Sequence, residues 1–145
     1  MNKEELKKAL YERYIVPTTT KKDNYIGIEI EMPVVNLNGK ATDFDVTRSV
    51  TKEFCEEYGF IPQSFDENGY AYSATESVTG DNLSFDCSYN NLEFSFAKEK
   101  SLAPIADRFK KYITALNEKL EKHEHLLTGM GINPGYKVNE NVFLP

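Results

Sequence analysis

Arginine is scarce in this sequence, with three in 145 residues: Arg13, Arg48 and Arg108. A protein that clamps an anionic substrate draws on guanidinium forks, so the chain is poorly supplied for that task by itself. Basic residues as a whole are outnumbered by acidic ones, 17 to 23, for a net charge of −6. That balance argues against a nucleic-acid binder, which needs a basic patch to neutralise phosphates. No apolar run approaches the roughly 20 residues that span a bilayer. The start, Met1-Asn2-Lys3-Glu4-Glu5, carries no apolar run and no cleavage signature, so a cytoplasmic location without a secretory leader is expected. The two cysteines, Cys55 and Cys87, lack metal-type spacing and read as reduced thiols in or near the core. Internal repeats and low-complexity segments are absent as well.

What is present is an alternation of periodic segments. Residues 2–14 predict a helix capped by Asn2, with Leu6, Leu10 and Tyr14 at i, i+4 and i+8. A polar loop follows, then a strand over 25–35. Pro33, which has no N–H, points to a sheet edge or a bulge there. Residues 44–58 predict a second helix, with Val46, Val50, Phe54 and Tyr58 on one stripe and Gly59 as its stop. Short strands are expected at 60–66 and 70–78 around the hairpin signal Glu67-Asn68-Gly69, and at 82–88 and 91–97. A long amphipathic helix is expected from Ser101 to Leu127, broken by Gly129 and Gly131. Strands bunched between helices indicate an α+β fold with a mainly antiparallel, curved sheet and flanking helices. The length suits one domain, residues 1–145, in which about 133–145 reads as a loop-like, truncated end.

The strand Ile26-Gly27-Ile28-Glu29-Ile30-Glu31-Met32 carries chemistry. Side chains alternate across a strand, so the isoleucines point one way and Glu29 and Glu31 the other, roughly 7 Å apart. Two ionised carboxylates so placed repel unless water or a cation intervenes. A second acidic segment runs from Leu83 to Phe96. A tight turn at Tyr89-Asn90 would set Ser88 against Asn91, Cys87 against Leu92, Asp86 against Glu93 and Phe85 against Phe94, matching polar to polar and apolar to apolar. In that register Asp86 and Glu93 oppose each other directly, which is unfavourable without a proton or a cation. Glu29, Glu31, Asp86 and Glu93 would then line one polar sheet face. Oxygen-only ligands of this kind suit a hard cation, Mg²⁺ or Mn²⁺. The plainer alternative is a wet face of an antiparallel sheet, on which charged residues have no task.

These two segments resemble the glutamate–cysteine ligases. Gly27-Ile28-Glu29-Ile30-Glu31 is similar to that family's Gly-x-Glu-x-Glu strand, and Asp86 with Glu93 inside Asn91-Leu92-Glu93-Phe94 is similar to its second acidic segment. Gly129-Met130-Gly131-Ile132-Asn133-Pro134 is similar to its Gly-rich segment, with Asn133 where many relatives have histidine. The resemblance covers about residues 25–135 and the first part of a typical member. It implies a glutamine-synthetase-like fold and Mg²⁺ held by Glu29, Glu31, Asp86 and Glu93. It implies ATP as co-substrate and ligation of glutamate, through its γ-carboxyl phosphate, to the amine of cysteine, the first step of glutathione synthesis. The chain would be the N-terminal part of such an enzyme, inactive alone, with its C-terminal remainder as partner. The other readings are a non-catalytic metal-binding or assembly module on the same fold, and a ligase that uses a different amine. His123 and His125, two apart on the expected helix, read as solvated surface. Ser64, Ser73 and Ser77 have no nucleophile-elbow context. The many tyrosines and phenylalanines read as packing.

Overall fold

The structure, a computed structural model, describes residues 1–20, 23–135 and 144. Its elements are α1 (Lys3–Leu10), β1 (Ile26–Asn36), α2 (Phe44–Tyr58), β2 (Phe60–Phe65), β3 (Ala71–Glu76), β4 (Asn82–Phe85), β5 (Asn91–Glu99), α3 (Ala103–Leu120) and β6 (His125–Leu127). The six strands form one open sheet in the order β2-β3-β4-β5-β1-β6, with every neighbouring pair antiparallel. The fold class is therefore α+β, as the bunched strands indicated. Among the described residues no helix is long and apolar enough to cross a membrane.

Local chemistry accounts for the boundaries. Asn2 caps α1 through Glu4 N and Glu5 N while the Glu5 carboxylate returns to Asn2 N, a reciprocal capping box. The helix loosens into a π-turn at Tyr11–Ile15 and ends in a short 3-10 turn at Val16–Thr18. Asp43 caps α2 through Asp45 N and Val46 N, and Gly59 stops it in the left-handed region, φ +75°. Both helices α2 and α3 lie on one face of the sheet. Their inward side chains Val50, Phe54, Ile105, Tyr112 and Leu116 meet Met32, Leu83, Phe94 and Phe96 from the strands. Phe54 and Tyr112 hold the centre: Phe54 meets Tyr112 edge-on at 5.7 Å, and Tyr112 stacks on Phe94 at 5.5 Å. Each such ring contributes roughly 1.5–3 kcal/mol by burial.

A buried ion pair ties β4 to α3. Asp81 is fully buried and accepts from Arg108 Nε at 2.7 Å, Ala97 N at 2.9 Å and Tyr112 Oη at 3.4 Å. Arg108 also reaches Glu99 at 2.9 Å.

Two expectations are corrected. The helix expected to run to Leu127 ends at Leu120. Glu124 then turns into the left-handed region, φ +58°, and His125–Leu127 adds a sixth strand beside Val34–Asn36. The pull is burial of His125 and Leu127, which alternate inward. His125 is accordingly not solvated helix surface. Its Nε2 accepts from Asp43 N at 3.1 Å, and Nδ1 lies 2.6 Å from the His123 carbonyl. Of the two readings of Pro33, an edge or a bulge, the edge holds: β5 pairs along Ile26–Pro33 but β6 only at Val34–Asn36, so among the described residues the second side of β1 is open from Pro33 back, and the register shift falls elsewhere, between Ile26 and Ile28. Pro33 pairs with Asn91 on β5, and its carbonyl accepts from Thr128 N where β6 ends, so the missing N–H removes no ladder bond from the body of the sheet. The expected loop-like end lies largely outside the described residues.

Candidate metal centre

Among the described residues neither α2 nor α3 covers the opposite sheet face, and the strand register writes polar rows across it. Ser73, Ser84, Glu93 and Glu31 are successive cross-strand partners on β3, β4, β5 and β1. Thr75, Asn82, Ser95 and Glu29 form the next row. Between them, on the helix side, run Ala74, Leu83, Phe94 and Ile30. The alternation of the two segments thus places Glu29, Glu31 and Glu93 on one face.

The register of the acidic hairpin differs from the expected one by two residues. Ser84, not Asp86, is the partner of Glu93, and Phe85 pairs with Leu92. The Tyr89-Asn90 turn forms, closed by Asn91 N to the Ser88 carbonyl at 3.1 Å. Asp86 and Cys87 are extra residues beside it. Ser88 N returns to the Asp86 carbonyl at 2.7 Å, a γ-type turn with Cys87 at φ +60° in its centre. Asp86 N donates to the Asn91 carbonyl at 3.0 Å. A shift of two conserves the faces, because the side-chain period is two.

The cause of the wider loop is Tyr89. Its ring is buried against Phe85 at 4.9 Å, and its hydroxyl donates to Asp66 at 2.9 Å, in the turn between β2 and β3. Burial, reinforced by the Asp66 carboxylate, pushes the Tyr89 hydroxyl up to about 12. Alternating pattern alone gives no sign of this anchor, since a turn tyrosine ordinarily reads as exposed.

The carboxylates meet across β5 and β1 instead of within the hairpin ladder. Glu93 is opposed across the strands by Glu31, and Asp86 reaches the same place from the loop. One oxygen from each of Glu31, Asp86 and Glu93 lies within 4.8 Å of the others. Glu29 shares the face but sits one row away, opposite Ser95, outside this group. Ser95 Oγ donates to Glu93 at 2.7 Å, and the Cys87 thiol donates to Asp86 at 3.3 Å. Among the described residues no lysine or arginine forms an ion pair with any of the four. The uncompensated charge is felt locally: the hydrogen bond to Asp86, then its charge, then burial and the Glu31 charge, raise the Cys87 thiol above its ordinary value.

The donor set fits a hard divalent cation. It is all oxygen, and a span of 4.8 Å compares with the roughly 4–5 Å between ligands on opposite sides of Mg²⁺ or Ca²⁺.

The arginines are committed elsewhere. Arg108 serves Asp81 and Glu99, and Arg48 pairs with Asp45 between the rings of Tyr70 and Tyr89, at 4.2 and 4.9 Å from their centroids. Arg13 lies over Tyr14 on the exposed N-terminal segment. Asn133 is also engaged, donating to the Val34 carbonyl at 2.8 Å and to Thr42 Oγ1 at 3.1 Å, so it fastens its loop to β1 and to the end of the β1–α2 connection. A cavity of about 400 Å³ lies on the other side of the sheet, between α2 and the strands β2–β4, and does not include the carboxylates.

Comparisons with protein-family models, curated proteins and solved structures give no match to the chain.

Proposed function

We propose that the polar sheet face binds a divalent cation, Mg²⁺ or Mn²⁺, through Glu31, Asp86 and Glu93, with Glu29 beside them, as part of an ATP-dependent carboxylate–amine ligase. The convergence of three carboxylates without a countercation among the described residues carries this reading. Like charges gathered on one face are unfavourable by themselves, and a bound cation reverses the sign of the interaction. The resemblance of the Gly27–Glu31 strand and of Asp86 with Glu93 to the glutamate–cysteine ligases supplies the reaction: phosphorylation of the glutamate γ-carboxylate by ATP, then displacement of phosphate by the amine of cysteine. The cation would offset repulsion between a carboxylate and the triphosphate. The chain's own part is to hold ligand oxygens at fixed places on a rigid sheet. Ser95 orients Glu93, and the Cys87 turn delivers Asp86.

With Arg48 and Arg108 engaged in internal pairs, the groups that grip phosphates and substrate carboxylates must come from further sequence. The chain by itself is then a metal-binding, inactive part of the ligase. The experiment joins it to the rest of its parent gene and measures ADP release from ATP with glutamate and a panel of amines. Glutamate-dependent turnover with cysteine supports the reading, turnover with another amine changes the acceptor, and no turnover refutes the ligase. Titration of the chain with Mn²⁺, against Glu31→Gln, tests the cation site separately.

A further inference from the structure

The cavity on the helix side of the sheet follows from small side chains. Where β2 and β3 face α2 they present the cross-strand partners Pro62 and Ala74, and α2 adds Ser49, too little to fill the space between the layers. Phe60, Leu83 and Phe85, all buried, close the cavity toward the core, while Phe65 and Tyr70, 56 % and 44 % exposed, line it toward solvent. Its volume of about 400 Å³ falls within the range of about 300–1,000 Å³ usual for small-molecule sites. An engineered apolar cavity of roughly 150 Å³ takes up benzene, so this one has room for a body of two rings.

The polar groups of the lining narrow the chemistry. Its charged residues are two of each sign and already matched: Arg48 pairs with Asp45, and Lys52 with Glu56 at 3.4 Å. A charged ligand would lose its hydration there without gaining a free counter-ion. Among the described residues, the lining has one buried side-chain donor without a partner, Arg48 Nε. A buried donor with no acceptor is uncommon in folded proteins and is unfavourable until an acceptor reaches it. The rings of Tyr70 and Tyr89 on either side of the guanidinium hold that donor in place, so an incoming oxygen meets a fixed partner.

We propose that this cavity binds an uncharged, apolar small molecule of two rings that carries a single hydrogen-bond acceptor, an aryl ketone being the simplest, with its oxygen on Arg48 Nε. Its rings would lie against Phe60, Leu83 and Phe85. Burial of apolar surface supplies the affinity, and the one donor fixes the orientation. An anion of the same size is disfavoured, because it would compete with Asp45 for Arg48. The cavity does not include Glu31, Asp86 or Glu93, so binding there stands or falls independently of the ligase reading.

Titration of the isotope-labelled chain, followed by heteronuclear NMR, tests it with three probes of similar size. Benzophenone carries the acceptor, diphenylmethane lacks it, and benzoylbenzoate adds a negative charge. Benzophenone should shift resonances of α2 and β2–β4, with a dissociation constant of roughly 100 μM or tighter. Diphenylmethane should bind roughly tenfold more weakly, for want of one hydrogen bond to a charged donor. Benzoylbenzoate should also bind more weakly than benzophenone. Arg48→Met keeps the stem beside the tyrosines and removes the donor, so it should bind benzophenone and diphenylmethane equally. Ser49→Trp, at an exposed position of α2 that lines the cavity, should block both while leaving the fold intact. A wild type that binds none of the probes overturns the proposal, and so does one that binds benzophenone and diphenylmethane equally. Tighter binding of benzoylbenzoate than of benzophenone overturns it in favour of an anion site. Benzophenone binding that Ser49→Trp leaves unchanged overturns it by placing the ligand elsewhere.

Discussion

Replacing Glu93 by glutamine should stabilise the chain without metal and destroy its response to metal. Glu93 is the middle member of the group, facing Glu31 across the strands and Asp86 from the loop, with oxygens no more than 4.8 Å apart. Two unit charges at that separation repel by about 0.9 kcal/mol in bulk water and by about 3.5 kcal/mol at an effective dielectric constant near 20. The face is open to solvent, so the lower figure governs. With two neighbours, the relief from E93Q is about 1–2 kcal/mol. Glutamine keeps the shape and an oxygen to accept from Ser95, so little packing is lost. For a domain of this size that is a rise of roughly 3–6 °C in melting temperature. It should shrink at about 1 M salt, where the screening length falls to about 3 Å. With Mg²⁺ or Mn²⁺ at ten times its dissociation constant, wild type gains about 1.4 kcal/mol by mass action. The variant gains far less, so its advantage narrows. Thermal melts followed by circular dichroism, in chelator and in metal, read both quantities. If E93Q melts below wild type in chelator, or if metal raises both equally, the three carboxylates do not form a strained, cation-ready group.

The remaining predictions concern the frame that holds this face. Asp81→Ala leaves half-buried Arg108 with Glu99 alone and takes the acceptor from Ala97 N and the Tyr112 hydroxyl, so it should cost about 2–4 kcal/mol in urea unfolding; a cost under about 1 kcal/mol would contradict a buried acceptor at Asp81. Tyr89→Phe keeps the ring and removes the bond to Asp66, so a loss of about 1 kcal/mol is expected in the same assay. Hydrogen bonds to Glu76, chiefly from Thr79 N and then from the Thr79 hydroxyl and Val78 N, hold its carboxyl below the usual value. Its stabilising contribution is therefore complete above the unfolded value of about 4.5 and disappears as the pH falls through the lower folded one. Acid titration of wild type against Glu76→Gln should show the difference between the two proteins confined to pH above that window. In native protein a thiol reagent should modify Cys87, which is exposed, and spare Cys55, whose thiol burial pushes up to about 12; equal labelling of both would place Cys55 outside the core.

The sequence by itself determined which residues share a face. Period-two alternation in Ile26–Met32 and in Leu83–Phe96 puts Glu29, Glu31 and Glu93 opposite the core side chains, whatever the register, because burying one face of a sheet fixes parity. The start of α1 at Asn2, the end of α2 at Gly59 and the β2–β3 turn were legible for the same reason: caps and turns act within a few residues. What met what across the sheet was a matter for the tertiary structure. A register can slip by two without disturbing the alternation, and it does so here because Tyr89 gains more from the core and from Asp66 than a tighter turn would leave it. That slip takes Asp86 off Glu93's opposite position and sets Ser84 there, while Glu31 faces Glu93 from the other side, on β1. Neither β6 nor the burial of His125 was visible in a stretch whose apolar spacing continues a helix. Three residues become a strand only because β1 offers them a free edge. The close approach of Glu31 to the Asp86–Glu93 hairpin is likewise a property of segments distant in the chain, decided by the packing that aligns β1 with β5.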